Sequence, residues 1–187
     1  FLWLELPGLV VDFGLRLDPL SLLMLLVVTG VGSVIHIYSW GYMHGDPGVP
    51  RYFAGLSLFS FSMLGIVLAT NLLQMFVFWE LVGVSSYLLI GFWYDRPAAA
   101  DACKKAFITN RVGDFGFLLG ILLVWSLLGS LDLGELKAQL AAIKAVKPGK
   151  AMWQIDQPAR DIIEKADGGT YKDAYPHGIG HQLGLHV

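Results

Sequence analysis

Four long apolar stretches dominate the pattern of hydrophobic and polar positions along the chain. They cover residues 19–40, 52–71, 72–94 and 106–128. A helix needs about 20 residues to cross the hydrocarbon core of a bilayer, and each stretch is close to that length. Four such runs in so short a chain are not expected of buried helices in a soluble protein. The pattern therefore predicts an all-α membrane protein with a bundle of about four transmembrane helices.

The pattern changes after residue 130, where charged residues become much denser. Residues 1–130 and 131–187 hold equal numbers of Asp, Glu, Lys and Arg, 14 each, although the second part is far shorter. This shift predicts three regions. They are an extramembrane N-terminal segment at 1–18, a four-helix transmembrane part at 19–130 and a small soluble α/β tail at 131–187.

The tail shows a helix–strand–helix pattern. Leucine and isoleucine recur at helical spacing from Leu133 to Ile143, and Pro148 with Gly149 ends that predicted helix. An extended piece is expected around 151–155, followed by a second helix from Gln157 to about Ala166.

Composition narrows the function classes. The 187 residues carry a formal net charge of −2, so no basic field indicates a nucleic-acid partner. The single cysteine, Cys103, cannot form an intrachain disulfide. No cysteine cluster or glycine-rich dinucleotide loop is present, so no cofactor is expected.

The distribution of basic residues predicts the orientation of the helices. A tight turn at Asn71 makes the second and third spans a helical hairpin, so the loops 41–51 and 94–105 share one side of the membrane. That side holds most of the basic residues, namely Arg51, Arg96, Lys104 and Lys105, whereas Arg16 stands alone on the other. The positive-inside rule then places the basic side in the cytoplasm of a multi-pass membrane protein.

Three charged residues lie inside the predicted spans, where they are costly. Glu80 is near the middle of the third span, and a charge at that depth costs at least about 2.5–3.5 kcal/mol, so it must face protein or water. In the fourth span, Arg111 and Asp114 are three positions apart and can pair. Two readings stay open. Glu80 changes protonation as a cation moves nearby, with the pair tuning the path, or Glu80 stays protonated and the pair is structural.

His36 lies in the first span, where a histidine has two common roles. It either relays protons or is a satisfied interior histidine, and both readings stay open. The candidate proton-transfer residues are therefore Glu80, Asp114, Arg111 and His36. No residue is expected to be catalytic in the sense of making or breaking a covalent bond.

Three segments resemble a known family. They are FWELVGVSSYLLIGFWY at 78–94, KKAFITNRVGDFGF at 104–117 and DPLSLLMLLVVTGVGSVIHIYSWGYM at 18–43. Residues 1–136 resemble the large antiporter-like subunit of respiratory complex I (subunit L, or mitochondrial subunit 5), which is related to Mrp-type sodium/proton antiporters.

The resemblance to that subunit implies a proton-translocating module of about fourteen helices. It assigns to Glu80 the carboxylate of a glutamate–lysine pair, with Arg111 and Asp114 as polar neighbours on the next helix. The lysine of that pair would lie on a later, discontinuous helix that this sequence lacks, so a complete pump is not expected here. The implied partners are other membrane subunits of a respiratory complex and the lipid bilayer.

Residues 138–187 resemble a different family. The segment PHGIGHQLGL near the end of the chain is similar to a signature of pita-bread metallopeptidases such as methionine aminopeptidase and Xaa-Pro dipeptidase. The resemblance implies His181 as a metal ligand and His177 as a nearby support, while His186 falls two positions before the family's next functional histidine. The Asp and Glu ligands of that family have no counterpart here, and surface histidines are the competing reading.

The two resemblances together predict a fusion joined between Leu131 and Leu140, either natural or accidental. We expect a fragment of the proton-translocating membrane subunit of NADH-quinone oxidoreductase, coupling quinone reduction to proton transport through Glu80. The alternatives are a metallopeptidase fragment on a membrane anchor, a sodium/proton antiporter subunit, or an inert anchor. The residues do not distinguish protons from sodium.

Overall fold

A computed structural model describes residues 1–6, 9–145, 154 and 157–162. Its elements are, in chain order, β1 (Leu2–Leu6), β2 (Leu9–Asp12), α1 (Pro19–Tyr42), α2 (Val49–Val67), α3 (Leu72–Ile90), α4 (Pro97–Leu128) and α5 (Leu133–Ala145). The chain divides into two compact units, Phe1–Gly129 and Ser130–Val187, and each is described by itself.

The four predicted membrane helices are confirmed as α1 to α4. Among the described residues, these four helices are long and apolar enough to cross a membrane. The fourth begins at Pro97 rather than at the predicted Ala106. Proline fits the first helical position, and the alanines that follow are strong helix formers. At about 1.5 Å per residue, the 32 residues of α4 span about 48 Å, so its charged first turns extend beyond a hydrocarbon core of about 30 Å.

The helices pack in sequence order, α1 on α2, α2 on α3 and α3 on α4. The short turn before α3 makes α2 and α3 the predicted hairpin. Asn71 caps α3 by accepting a hydrogen bond from the Gln74 amide at 2.8 Å. Gly65 of α2 lies against the Phe78 ring so closely that a Cβ at this position would overlap the ring. The small residue therefore sets the distance between the two helices.

The N-terminal segment forms a β-hairpin, which the sequence pattern did not predict. β1 and β2 pair antiparallel, with an irregularity between Leu2 and Leu4. The segment then bends to Asp18, whose side chain caps α1 in a capping box with Ser21. Two short, mostly apolar runs do not show the alternation that distinguishes a strand from a loop, so this element was missed.

Two buried amides attach this hairpin to the turn between α2 and α3. Asn71 donates to the Asp12 carbonyl at 2.6 Å, and Gln74 donates to the Gly14 carbonyl at 2.9 Å. The Gln74 side-chain oxygen also accepts from the Thr70 hydroxyl at 3.0 Å. Gln74 is only 1% exposed. The hairpin therefore lies at the α2–α3 end of the bundle, opposite the basic loops.

The opposite end of the bundle is held by loop contacts. Asp46 accepts hydrogen bonds from the Gly48 amide at 2.7 Å and from the Trp93 indole at 3.1 Å. These two bonds, with a smaller contribution from Arg51, lower the pKa of the Asp46 carboxyl from its ordinary value. Arg51 donates to the Phe92 carbonyl at 2.8 Å. The ends of α1, α2 and α3 are thus tied together at the basic side.

In the second unit, α5 confirms the predicted helix that starts near Leu133. Asp132 caps its first turn by accepting from the Gly134 amide at 2.7 Å. Residues 157–162 are helical, as predicted for the start of a second helix. The prediction of an extended segment at 151–155 is wrong at Gln154, which is helical. Glutamine has a good helix propensity. The other residues of that piece lie outside the described part.

We predict that Gln74→Leu destabilises the first unit. Leucine has nearly the same volume but leaves the Gly14 carbonyl without its donor, and a buried unsatisfied group costs about 1–3 kcal/mol. Denaturant or thermal unfolding in detergent micelles should show the loss. Thr29→Val is a matched control, since Thr29 is exposed on α1 and its hydroxyl bonds only to its own helix. Equal stability of the two variants would contradict the role assigned to Gln74.

Candidate functional site

The charged residues predicted inside the membrane meet where α3 packs on α4. Glu80, the ninth residue of the 19-residue α3, forms an ion pair with Arg111 of α4. The same Arg111 guanidinium lies 3.5 Å from a carboxylate oxygen of Asp114, which confirms the predicted i,i+3 pair. One cation therefore lies between two carboxylates, one from each helix. The cross-helix pair compensates a charge that mid-membrane burial alone would make costly.

Asp114 is the most deeply buried member of this cluster, at 6% exposure. Its other carboxylate oxygen accepts a hydrogen bond from the Trp79 indole nitrogen at 2.8 Å. Trp79 and Glu80 are neighbours in α3, so two consecutive residues reach the two polar residues of α4. Trp79 was not predicted as part of the site. A tryptophan next to a carboxylate within a predicted membrane helix could have indicated it, because a buried indole N–H needs a hydrogen-bond acceptor.

A glycine makes room for the arginine. A Cβ built on Gly83 would lie 2.6 Å from a terminal nitrogen of Arg111. The guanidinium also lies over the Phe107 ring, 4.6 Å from its centroid, in a cation–π contact. Its Nε is buried and has no hydrogen-bond partner among the described residues. Arg111 is therefore held by charge and shape more than by a full set of hydrogen bonds.

His36 is not brought to this cluster. Its Nδ1 lies 2.7 Å from the Gly32 carbonyl oxygen one turn earlier in α1, and that oxygen can only accept. Nδ1 therefore carries a proton. The ring packs near Phe53 of α2, with centroids 6.1 Å apart. These contacts fit the satisfied interior histidine better than the relay.

The predicted metal ligand His181, with His177 and His186, lies outside the described residues. Within the part that the structure describes, no group of three or more His, Cys, Asp or Glu side chains could hold a metal ion. The described part of the chain therefore holds no recognisable metal site, and the prediction for His181 stays a prediction.

Chemically, the cluster offers one positive charge two neighbouring carboxylates, Glu80 on α3 and Asp114 on α4. While Glu80 is ionised, Arg111 is attracted to it. If Glu80 is neutralised by a proton, that attraction falls and Asp114 remains as the anion beside the guanidinium. The arrangement is suited to coupling the protonation of one carboxylate to the position of a neighbouring cation.

The membrane part of the chain is similar in sequence to known families. Residues 3–53 match the family described as NADH-Ubiquinone oxidoreductase (complex I), chain 5 N-terminus. Residues 69–155 match the family described as NADH:quinone oxidoreductase/Mrp antiporter, TM, and this stretch contains the whole cluster. The membrane part of the chain belongs to the antiporter-like subunit family of complex I.

Individual members of this complex I family are also similar in sequence to the chain. NAD(P)H-quinone oxidoreductase subunit 5, chloroplastic, of Zygnema circumcarinatum is 58% identical over 130 residues, which cover 70% of this chain and 18% of that protein. NAD(P)H-quinone oxidoreductase chain 5 of a Synechocystis strain is 55% identical over 141 residues, covering 75% of this chain and 21% of that protein. The chain spans about a fifth of the length of these relatives. With its four apolar helices, it is a multi-pass membrane protein.

The tail also matches a second family. Residues 135–187 match metallopeptidase family M24. The complex I match extends to residue 155, beyond the predicted limit at 136, and so overlaps the peptidase match over 135–155. The boundary between the two resemblances therefore stays a prediction, as does the fusion.

We predict different effects for two glycine-to-alanine changes in neighbouring helices. Gly83→Ala should displace Arg111 and weaken its pair with Glu80, lowering the free energy of unfolding. Gly113→Ala has nothing within 4 Å of the added Cβ, so alanine's better helix propensity should leave stability equal or raised by up to about 1 kcal/mol. Unfolding in micelles measures both. A Gly83→Ala variant as stable as Gly113→Ala would show that the arginine does not need this space.

Proposed function

We propose that this chain supplies the glutamate side of a proton-transfer path in an NAD(P)H-quinone oxidoreductase. One observation carries the proposal, namely the single Arg111 shared by Glu80 and Asp114 in the middle of two membrane helices. A passive anchor has no use for three charged groups at that depth. The names of the relatives, NAD(P)H-quinone oxidoreductase subunit 5, support quinone reduction as the reaction that drives the transfer.

In this proposal the three side chains have distinct roles. Glu80 takes up and releases the proton, because it is the carboxylate that pairs across the helix interface. Arg111 is a positioning residue that stabilises the ionised form of Glu80 and moves toward Asp114 when Glu80 is neutral. Asp114 holds the guanidinium near the path, and Trp79 fixes the Asp114 carboxylate. His36 has no place in this step, since its contacts lie on α1 and α2.

The proton must leave Glu80 for a group outside the described residues. The resemblance implies a next group on a later helix of the longer subunit, and the other partners of this chain would be the remaining membrane subunits of the complex. This chain alone is not proposed to pump. Its residues would provide one protonatable station and the cation that responds to it.

The test uses a subunit that can assemble. Residues 1–130 of this sequence replace the matching part of the Synechocystis chain 5, and Glu80→Gln is made in that background. We expect proton uptake by membrane vesicles, driven by NAD(P)H and a quinone, to fall by at least about tenfold, the effect typical of losing one proton-transfer group. Acridine-dye quenching reports the uptake, and native gels report assembly.

Asp101→Asn is the matched control, because Asp101 is an exposed carboxylate on the same helix as Arg111, paired loosely with Lys104 at 3.6 Å. It should leave uptake unchanged. Repeating the assay with and without sodium separates a proton carrier from a sodium/proton antiporter. Full uptake in an assembled Glu80→Gln complex would reduce Glu80 to a structural residue.

A metallopeptidase-like tail is the competing candidate, because residues 135–187 match the M24 family, and we propose that this tail does not bind a metal. Its metal would rest on His181, which has no acidic partners from the family's ligand set in this sequence. We therefore expect the purified chain to retain no stoichiometric manganese, cobalt or zinc by elemental analysis, and His181→Ala to change nothing. If the chain retains a metal and His181→Ala loses it, that result would support a peptidase-type metal site.

A further inference from the structure

A cavity of about 560 Å³ lies between α2 and α4, over the C-terminal end of α3. α2 and α4 each pack on α3, and several of the residues that line this space are small. Its small lining residues are Ala54, Gly55, Gly91, Ala100 and Cys103. A Cβ on Gly91 would lie 2.9 Å from the Cys103 sulfur, so the floor is closely packed while the centre stays open.

One end of this cavity is cationic. Arg51 lines it and donates to the Phe92 carbonyl at 2.8 Å, with its guanidinium carbon 5.1 Å from the Tyr94 ring centroid. No carboxylate lies within 4.0 Å of Arg51 in the described part of the chain. Lys104 also lines the cavity, and its side chain is 65% exposed. The guanidinium is thus oriented by neutral groups at close range, and its nearest carboxylate influence is the weaker, longer-range one of Asp46.

The other end is apolar. Leu58 lies on the same face of α2 as Arg51, seven residues further along, which is about 10 Å deeper at the rise of a helix. Leu88 and Leu89 of α3 line the space beside it. Arg51 belongs to the first turn of α2, at the basic ends of the helices. A charged rim at headgroup depth therefore leads into an apolar slot.

We propose that this cavity binds one anionic phospholipid, with its phosphate at Arg51 and Lys104 and the start of an acyl chain against Leu58. A soluble phosphate would use the rim but leave the apolar walls unfilled. A neutral lipid would fill the walls but leave Arg51 without an anion in close contact and Lys104 with only its exposed 3.6 Å pair with Asp101. Basic pockets between membrane helices bind lipid phosphates in this way.

The test measures lipid retained by the chain after release from nanodiscs of phosphatidylcholine with a minority of phosphatidylglycerol, using native mass spectrometry. The unmodified chain should retain one phosphatidylglycerol. Lys104→Gln and Arg51→Gln should each reduce that retention about fivefold, the effect expected for one cation at the membrane surface. Ala54→Phe should also reduce it, because the ring fills the slot without changing the charge.

Lys105→Gln is the matched control, since Lys105 neighbours Lys104 in α4 but does not line the cavity. It should keep the bound lipid. Arg51→Gln also removes the bond to Phe92, so melting temperatures accompany every variant, and Lys104→Gln decides the case if Arg51→Gln alone is unstable.

Three results would overturn the proposal. The first is equal retention in Lys104→Gln, Ala54→Phe and Lys105→Gln, which would mean attraction to general surface charge. The second is no preference for phosphatidylglycerol over phosphatidylcholine in the unmodified chain. The third is binding of soluble glycerol phosphate that Ala54→Phe does not affect, which would mean a headgroup site without a lipid chain.

Discussion

Arg111 and its two carboxylates impose the main constraint on the bundle, because hydrocarbon cannot solvate any of the three charges. Neither α3 nor α4 can carry its charges into a bilayer comfortably unless the other helix lies beside it. The contact is specific in position as well as in charge. It needs a glycine at 83 to admit the guanidinium and an indole at 79 to occupy the second oxygen of Asp114.

The same cluster connects the stability of the α3–α4 contact with the proposed proton transfer. A fully satisfied polar network would rigidify the interface, but Arg111 keeps one buried nitrogen without a partner among the described residues. Its hold on Glu80 therefore depends mostly on charge, and charge is what a proton changes. Residues such as Gln74, whose hydrogen bonds are all neutral, hold the fold in a way that is much less sensitive to protonation.

Sequence reasoning predicted the elements whose signal is long and local. Four membrane helices, the tight turn at Asn71 and the pair at Arg111 and Asp114 follow from hydropathy and helical spacing. It missed features that depend on how separate elements meet. The bond from Trp79 to Asp114 depends on the register of two helices. The attachment of the β-hairpin depends on partners some sixty residues away, and the separation of His36 from the cluster depends on the packing order.

The attachment of the N-terminal hairpin has a consequence for how the chain is made. Asp12 and Gly14 are held by Asn71 and Gln74, which leave the ribosome long after them. The N-terminal segment can therefore be attached only after α1 and α2 have been inserted into the bilayer and the start of α3 supplies the Asn71 and Gln74 side-chain amides. Folding of this end of the molecule is therefore completed by residues that are synthesised later. A chain whose synthesis stops before residue 74 would have a hairpin without these hydrogen bonds.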